Sequence, residues 1–353
     1  MTKAKWDRQI AGIAASSSLG FDSTAFRREA LRRLRALVSI DAAFFATVDP
    51  VTLLFTSAVA EEPLGAATAL FLDNEFAHDD VNKFASLANS PDHVGSLDRA
   101  TRGDRASSSR YRDVMAPLGL GDELRVALIA GGACWGVLCL HREDSPLGFS
   151  ADEIDLLRRL GPHLGEGLRR GLTFSSVSDT THLESPGIII LAADLTVISI
   201  NAQAERWLRE IAGEDWSSRS ELPMPILAAA AQLARNNQPT IPESAVTRLR
   251  STRGVWITVQ ASLLQGPAGL QIAVILEPAN PLQLSSLVLA EHGLTPAQQR
   301  VAALVLQGWS TDQIINELQI SSHTLQEHLR GVFDKFGIGS RRELVATLSG
   351  HRG

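Results

Sequence analysis

The chain from Leu294 to Ser349 shows four short helical patterns in succession, each with its own start signal, and no other stretch constrains the fold as tightly. In the first pattern Thr295 precedes Pro296, which favours an N-cap residue followed by proline at the first helical position. Apolar residues then recur at helical spacing until Gly308 ends the pattern. Four closely spaced amphipathic helices predict a compact helical unit.

The second and last helices of this unit have similar start signals. Ser310 or Thr311 is expected to cap the second helix. Ser340 is followed three residues later by Glu343, the spacing of a capping box in which each side chain bonds the other residue's backbone. The boundaries of three of the four helices can therefore be predicted from capping chemistry.

The third helix, predicted from Ser322 to Phe336 and ended by Gly337 and Gly339, has two contrasting sides at about 100° per residue. The apolar side carries Leu325, Leu329, Val332, Phe333 and Phe336. The polar side carries His323, Gln326, Glu327, Arg330 and Asp334. Base edges and phosphates require exposed hydrogen-bonding side chains of this kind. A short helix, a tight turn and a longer helix are typical of a helix-turn-helix, whose second helix enters the major groove.

This segment resembles the LuxR-type helix-turn-helix of bacterial transcription regulators. The matching residues are Leu294-Thr295-Pro296, Val305, Gly308, Ser310, Ile314, Ile320-Ser321, His323-Thr324, His328-Leu329, Phe333, Lys335, Gly337, Ser340-Arg341 and Glu343-Leu344. The resemblance implies a four-helix domain that binds double-stranded DNA as a dimer, usually with the last helix in the dimer contact. A helical bundle used only for dimerisation is the alternative.

We expect the DNA contacts to come from the start and the polar side of the third helix. The predicted set is Ser322, His323, Thr324, Gln326, Glu327 and Arg330, with Lys335 and Arg341 on phosphates. The family usually has lysine at the position of Gln326, and Glu327 adds a negative charge beside it. From Leu294 onward there are six Lys/Arg and five Asp/Glu, so we expect weak DNA binding by a monomer.

Composition limits the rest of the chain. Its 353 residues are more than one domain usually uses, and its net charge of −6 argues against coating nucleic acid along the full length. Cys134 and Cys139 do not make a disulfide framework and are expected to be buried free thiols in a reduced, cytoplasmic protein. The apolar tract Val126–Leu140 is divided by Gly131-Gly132 and is too short for a membrane helix, so a hairpin is expected and no membrane partner.

A first domain is predicted from Phe21 to Leu172. Strand-like runs at Ala42–Val48 and Leu53–Ala58 precede a mixed region, the hairpin Leu124–His141 and a helix that starts after Ser150. This order resembles a GAF sensory domain, most clearly in Trp135-Gly136-Val137-Leu138, Phe149-Ser150 and Glu153-Ile154. The resemblance implies a pocket for a small-molecule effector.

A second domain is predicted from Leu183 to Pro278. The expected elements are strands at Gly187–Leu191, Val197–Ile200, Val246–Leu249, Val255–Leu264 and Gln271–Leu276, with a helical run at Pro225–Ala234. This order resembles a PAS domain, through Ile190-Leu191, Asp194, Val197, Ile200-Asn201 and Ala204-Glu205. A structural spacer is an open alternative to a working sensor.

Two linkers and one long loop are expected from composition. Thr173–Thr181 is rich in Ser and Thr, Glu277–Pro281 contains two prolines, and Ser86–Ser109 is polar enough for a solvated loop or a lid. The helices Ala25–Val38 and Ile154–Leu168 are candidates for a dimer contact, although core packing explains them as well.

No motif of an enzyme is found: HExxH, the phosphate-binding GxxxxGK and the dinucleotide fingerprint are all missing from the sequence. No metal site and no cofactor are predicted. Pocket roles are open for four histidines, but structural or surface roles are favoured for each: His78, His93, His141 and His163.

The expected fold class is α+β multidomain, with two antiparallel-sheet sensory domains, GAF-like and PAS-like, followed by an all-α four-helix helix-turn-helix domain at 288–349. The expected function is a sequence-specific DNA-binding transcription regulator, acting as a homodimer and controlled by a signal sensed in the N-terminal domains. Two alternatives stay open: an enzyme that uses the GAF-like pocket, which would need catalytic groups that the sequence does not show, and an interaction module that binds protein partners.

Overall fold

The computed structural model describes residues 12, 23–144, 148–171, 185–213, 216, 222–233, 244–266 and 269–348. The predicted linker Thr173–Thr181, the predicted starts at Phe21 and Leu183, and the predicted ends at Leu172 and Ser349 lie outside these residues. The described chain divides into two compact units. One unit contains both sheets, and the other consists mainly of the helices that follow Ala279.

The first sheet is antiparallel, with its five strands in the order β2-β1-β5-β4-β3. Its strands are β1 (Ala42–Val48), β2 (Phe55–Ala60), β3 (Val94–Ser96), β4 (Leu120–Ala130) and β5 (Ala133–Glu143). The predicted hairpin is confirmed, with longer strands than expected. The second strand starts two residues later than predicted, because Leu53 has a φ of 60° and lies in the turn whose backbone bonds return to Asp49.

Helices cover this sheet. They are α1 (Ser23–Arg35), α2 (Thr68–Ala77), α3 (Phe84–Asn89), α4 (Leu97–Thr101) and α5 (Ala151–Gly171). The expectation of a loop over Ser86–Ser109 was wrong. That segment contains most of α3, all of β3 and α4, and its Leu87 and Leu97 are buried. These few apolar residues anchor a polar segment that composition alone marks as loop.

The second sheet is also antiparallel, in the order β7-β6-β10-β9-β8. Its strands are β6 (Gly187–Ala192), β7 (Val197–Ile200), β8 (Ser244–Arg250), β9 (Trp256–Gly266) and β10 (Gly269–Pro278). Two helices accompany it, α6 (Ala202–Ala212), capped by Asn201, and α7 (Met224–Leu233). The predicted strands are therefore present, and so is the predicted helical run as far as Leu233; its last residue, Ala234, lies outside the described residues.

Helix α7 joins the two sheets through one hydrophobic core. It packs against β8, β9 and β10 of its own sheet and against α2 and β2 of the first. Ala228, Ala229 and Ala230 are all fully buried in a cluster that also contains Phe44 and Phe71 of the first sheet domain. Small side chains let the helix backbone approach both neighbours closely, so the two sheets form one packed body.

The remaining helices pack around a separate core. They are α8 (Pro281–Glu291), α9 (Pro296–Leu306), α10 (Thr311–Leu318), α11 (Ser322–Phe336) and α12 (Arg341–Leu348). Helix α8 was not predicted. It starts directly after β10 with a capping box between Asn280 and Gln283, so the expected linker Glu277–Pro281 is only Ala279-Asn280. Because α8 packs against α9 and α12, the helical region exceeds the four helices expected.

No helix within the described ranges is both long and apolar enough to cross a membrane.

Candidate functional site

Helix α11 presents the polar side predicted from the sequence. Its apolar side is anchored by Leu325 and Val332, which are fully buried against the other helices of this unit. The opposite side is exposed at Ser322, His323, Gln326, Glu327 and Arg330, whereas Thr324 is half-buried. These five exposed side chains form a continuous hydrogen-bonding surface along the first half of the helix.

The turn before α11 is set by two residues that the site prediction did not include. Gln319 takes the left-handed conformation at φ 52° and ends α10. Ser321 is the N-cap of α11, where its Oγ accepts a 3.1 Å hydrogen bond from the Thr324 backbone N–H. The Ser321 and Thr324 hydroxyls also lie 2.9 Å apart. Thr324 therefore helps to hold the start of the helix, and the S-x-x-T spacing was the available signal.

The two residues assigned to phosphates are bonded within their own unit. The Lys335 ammonium donates to the Gly293 carbonyl at 2.7 Å and to Gln298 Oε1 at 2.9 Å. The Arg341 guanidinium donates to the Trp309 carbonyl. Both side chains stabilise the packing of helices, and a phosphate would have to accept from their remaining N–H groups or replace these acceptors.

The exposed surface of α11 carries mixed charge. His323 Nε2 lies 3.5 Å from Glu327 Oε1, and these side chains are 83% and 63% exposed. Both are one turn apart on the same side as Arg330. A carboxylate here opposes phosphate attraction, so binding to DNA would depend on hydrogen bonding to bases as well as on charge.

A second candidate site lies in the first sheet domain, where a network of charged side chains is buried. Arg110, Glu123 and Arg125 are each at most 1% exposed. Glu123 accepts hydrogen bonds from Arg110 Nε at 2.8 Å and from Arg125 Nε at 3.1 Å. Because all three side chains are buried, each of these charges is compensated by other groups of the protein and not by water.

Helices α2 and α3 close this network from the other side. Glu75 of α2 accepts from Arg125 Nη1 at 2.8 Å and from the Phe84 backbone N–H at 3.0 Å. The Arg125 guanidinium also lies 4.2 Å from the centre of the Phe84 ring, a cation–π contact. Lys83 donates to the Glu75 carbonyl at 2.6 Å. The network thus ties the sheet to the two helices that cover it.

Burial and charge shift the pKa values of these groups. Burial raises the pKa of Glu123, but the guanidiniums of Arg110 and Arg125 outweigh it and hold that pKa below its usual range. Burial lowers the pKa of His141 to about 4, so its ring is neutral at pH 7. Burial also lowers the pKa of Lys83 to about 8.

Polar atoms inside this network remain without partners. Neither ring nitrogen of His141, nor Arg125 Nη2, nor Asn82 Nδ2 has a hydrogen-bond partner in the described part of the chain, although all are buried. Of the four candidate pocket histidines, only His141 is placed in this network; His78 instead lies at the surface, 2.8 Å from Asp73. The sequence prediction missed the acidic and basic members of the network.

The expectation of buried free cysteines is confirmed: Cys134 and Cys139 are both buried and free. They are not neighbours in a shared site. Cys139 instead groups with Glu123 and His141, whose candidate ligand atoms all lie within 4.8 Å of one another. The Cys-x-His spacing on one strand was the signal for this grouping, since residues two apart on a strand face the same side.

Comparison with known families identifies two parts of the chain. Residues 292–348, which include α9 to α12, match the model of the luxR family of bacterial regulatory proteins, and residues 28–168 match the GAF domain. The chain carries a LuxR-type DNA-binding domain preceded by a GAF domain. The LuxR-type and GAF resemblances expected from the sequence are thereby confirmed, whereas the PAS-like resemblance of the second sheet domain stays a prediction. The exposed surface of α11 lies within the LuxR-type domain.

The curated relatives match a short segment of the chain. The HTH-type transcriptional regulator MalT of Yersinia pestis (strain Pestoides F) is 38% identical over 52 residues, and that of Yersinia enterocolitica is 35% identical over the same length. In both cases the match is 15% of this chain and covers 6% of the relative. The chain therefore spans only a small fraction of the length of these relatives.

Solved structures are similar at low identity. The Vibrio cholera VqmA–ligand–DNA complex is 18% identical with a TM-score of 0.24, over 47% of this chain and 83% of that chain. The E. coli DhaR(N)–DhaL complex is 15% identical with a TM-score of 0.25, over 79% of this chain and 91% of that chain.

Proposed function

We propose that this chain is a transcription regulator whose LuxR-type domain reads a specific DNA site and whose N-terminal domains control it. The observation that carries the proposal is the exposed polar surface of α11 inside that domain. A capped helix with one buried and one hydrogen-bonding side is what major-groove readout requires. The role is regulatory and not catalytic.

In this proposal the base contacts come from His323, Gln326 and Arg330, with Ser322, Thr324 and Glu327 beside them. Arginine is the strongest candidate, because its guanidinium can donate two hydrogen bonds to the O6 and N7 atoms of guanine. Lys335 and Arg341 are assigned to phosphates, each while also bonded to a backbone carbonyl.

The active form in this proposal is a homodimer. One LuxR-type domain, which is close to neutral, makes few phosphate contacts, whereas two such domains on one palindromic site make twice as many. The effector is a small molecule that occupies the buried polar network of the GAF domain. The second sheet domain is PAS-like and transmits the structural change caused by the effector to the LuxR-type domain. It can receive that change because α7 contacts α2, the helix that carries Glu75. An effector acts only if it binds two arrangements of the protein with different affinity.

The test is footprinting of the purified full-length protein on fragmented DNA from its own source. The expected result is enrichment of a palindromic sequence that is protected at two successive major grooves. Absence of any enriched site, in the presence and in the absence of cell extract as a source of effector, would overturn the proposal.

A matched pair of variants tests whether the exposed polar side of α11 contacts the enriched DNA site. Arg330→Ala is expected to weaken specific binding about tenfold or more, because one bidentate base contact contributes about 1–3 kcal/mol. The control is Arg253→Ala, a surface arginine of the second sheet domain that is 70% exposed. Equal operator affinity of the two variants would remove Arg330 from the site.

The alternative is a module that recruits protein partners, and the charge of the α11 surface favours it. Glu327 beside Gln326 gives the surface little attraction for phosphate. The salt dependence of binding separates the two, because DNA binding weakens steeply with ionic strength through counterion release.

A further inference from the structure

Three potential ligand atoms meet inside the GAF domain. Glu123 lies on β4, and Cys139 and His141 lie two residues apart on the adjacent strand β5. Their candidate ligand atoms are all within 4.8 Å of one another, and His141 Nε2 lies 3.8 Å from Glu123 Oε1. All three residues are at most 2% exposed. The group therefore combines nitrogen, sulfur and oxygen donors in a site that is shielded from water.

A separate observation indicates that this group holds a ligand. His141 is buried, yet both of its ring nitrogens have no hydrogen-bond partner in the described part of the chain. A buried polar atom without a partner costs about 1–3 kcal/mol. Two such atoms on one ring are a large cost unless the lone pair of one nitrogen is used by something else.

We propose that Glu123, Cys139 and His141 bind a divalent first-row transition metal ion of the zinc or iron(II) type. Imidazole and thiolate select such ions over magnesium and calcium, which prefer oxygen ligands. Bonds of about 2.0–2.3 Å from one ion to these three atoms need ligand separations of roughly 3.3–3.9 Å. The observed 3.8 Å between His141 and Glu123 is within that range, and the 4.8 Å limit requires only small movements.

The neighbouring arginines do not leave an excess of positive charge at this position. Arg125 is paired with Glu75 at 2.8 Å as well as with Glu123. Arg110 is paired with Glu123 at 2.8 Å and lies 3.8 Å from Asp80. Each guanidinium thus has a second carboxylate, so Glu123 keeps part of its negative charge for the ion.

Binding changes the protonation of one ligand. The Cys139 S–H bond breaks, the sulfur electron pair binds the ion, and the proton is released to the buffer. His141 binds through the lone pair of a neutral ring nitrogen, and Glu123 binds as a carboxylate. Three protein ligands leave a tetrahedral ion with one open position, which is the arrangement of zinc sites that bind exogenous ligands.

Cobalt(II) is the probe, added to the full-length protein after treatment with a chelator. The expected result is one equivalent bound, with a near-ultraviolet thiolate-to-cobalt band and visible bands of tetrahedral cobalt. The protein contains two cysteines, and Cys134 on the same strand is outside the group. Cys134→Ser is therefore the matched control and is expected to keep every band.

Cys139→Ser and His141→Gln are expected to lose the thiolate band and to weaken cobalt binding about tenfold or more. If either variant does not fold, Cys134→Ser still decides the assignment, because the band in that protein can come only from Cys139. Absence of the band in the wild-type protein, or its loss in Cys134→Ser, would overturn the proposal. The titration contains no DNA, so its outcome is independent of whether the chain is a transcription regulator.

Discussion

Asp49 at the end of β1 accepts two hydrogen bonds from Arg248 of β8, and this pair connects the two sheets. The Arg248 backbone N–H lies 3.1 Å from Asp49 Oδ2, and its Nη1 lies 2.8 Å from the same oxygen. The Asp49 side chain is fully buried and that of Arg248 is 13% exposed. Asp49 Oδ1 accepts from the Val51 backbone N–H at 2.9 Å. The carboxylate is thus enclosed by partners from both sheets.

We expect Arg248→Met to lower the free energy of unfolding by about 3–5 kcal/mol, because it leaves the Asp49 carboxylate buried without its cation. The double variant Asp49→Asn with Arg248→Met is expected to recover part of that loss, since no uncompensated charge remains. Urea unfolding of the four proteins in the double-mutant cycle measures both values. A double variant no more stable than Arg248→Met would contradict this account.

The same pair predicts a pH dependence. Burial raises the pKa of Asp49 above its usual value of 3.8, in spite of Arg248. The folded protein therefore holds this proton more tightly than the unfolded chain, and the contribution of Asp49 to stability is lost as pH rises through the raised pKa. Without Arg248 the loss continues to higher pH. The stability difference between wild type and Arg248→Met should thus be larger at pH 7 than at pH 4. The stability of the double variant lacks this contribution to the pH dependence, because asparagine at position 49 does not titrate.

Replacing Ala229 by leucine tests the shared core. Ala229 is fully buried on α7, where the helix lies between the two sheets, so we expect a loss of about 1–3 kcal/mol from overpacking. Ala202→Leu, at the exposed first position of α6, is the control and should change stability little. Thermal unfolding followed by circular dichroism compares them. Equal stability of the two variants would show that α7 is not closely packed.

Ser321→Ala removes the N-cap of the proposed reading helix. We expect a loss of about 1 kcal/mol in the stability of the helical unit, because the Thr324 N–H loses its acceptor. Ser322→Ala, one residue later and exposed, is the stability control. Chemical unfolding reports both, and hydrogen exchange at Thr324 should accelerate in Ser321→Ala alone. Unchanged exchange at Thr324 would count against the cap.

Glu327→Gln tests the charge of the reading surface. Removing a 63% exposed carboxylate from the proposed DNA-binding surface should raise affinity for arbitrary duplex DNA about two- to fivefold, the scale of one surface charge. Glu143→Gln makes the same charge change at an exposed position of β5 and should have a smaller effect. Fluorescence anisotropy at several salt concentrations measures this. Equal gains in both variants would mean that only net charge matters.

Local rules predicted the helical unit well. Thr295, Ser310 and Gly337 occupy the capping positions expected from the sequence, because each cap depends on a side chain and a backbone group only a few residues away. The capping box predicted at Ser340 is formed in part. The Glu343 backbone N–H donates to the Ser340 hydroxyl as expected, but the Glu343 carboxylate accepts from the Gly339 N–H and the Ser340 hydroxyl in place of the Ser340 backbone N–H. Helix α8 was missed because Pro278, at the end of β10, and Pro281, at the first position of the helix, together mark a linker in a sequence.

Long-range contacts were not predictable in the same way. Arg110, Glu123 and Glu75 are far apart in the chain and look like ordinary surface charges, and only the folded sheet brings them together. The intramolecular bond from Lys335 to Gly293 likewise joins residues 42 positions apart. Periodicity shows which side of a helix is buried, but not which partner meets a charged side chain there.

The alanine-rich helix α7 has a consequence for the ancestry of this protein. Domains that keep separate cores can be exchanged between genes, because each brings its own interior. Here the hydrophobic core of each sheet domain includes residues of the other. A replacement sensor domain would therefore have to fit both the alanine side chains of α7 and the position of Asp49. The two sheets are therefore expected to have been inherited together and to diversify by compensating changes on the two sides of this helix.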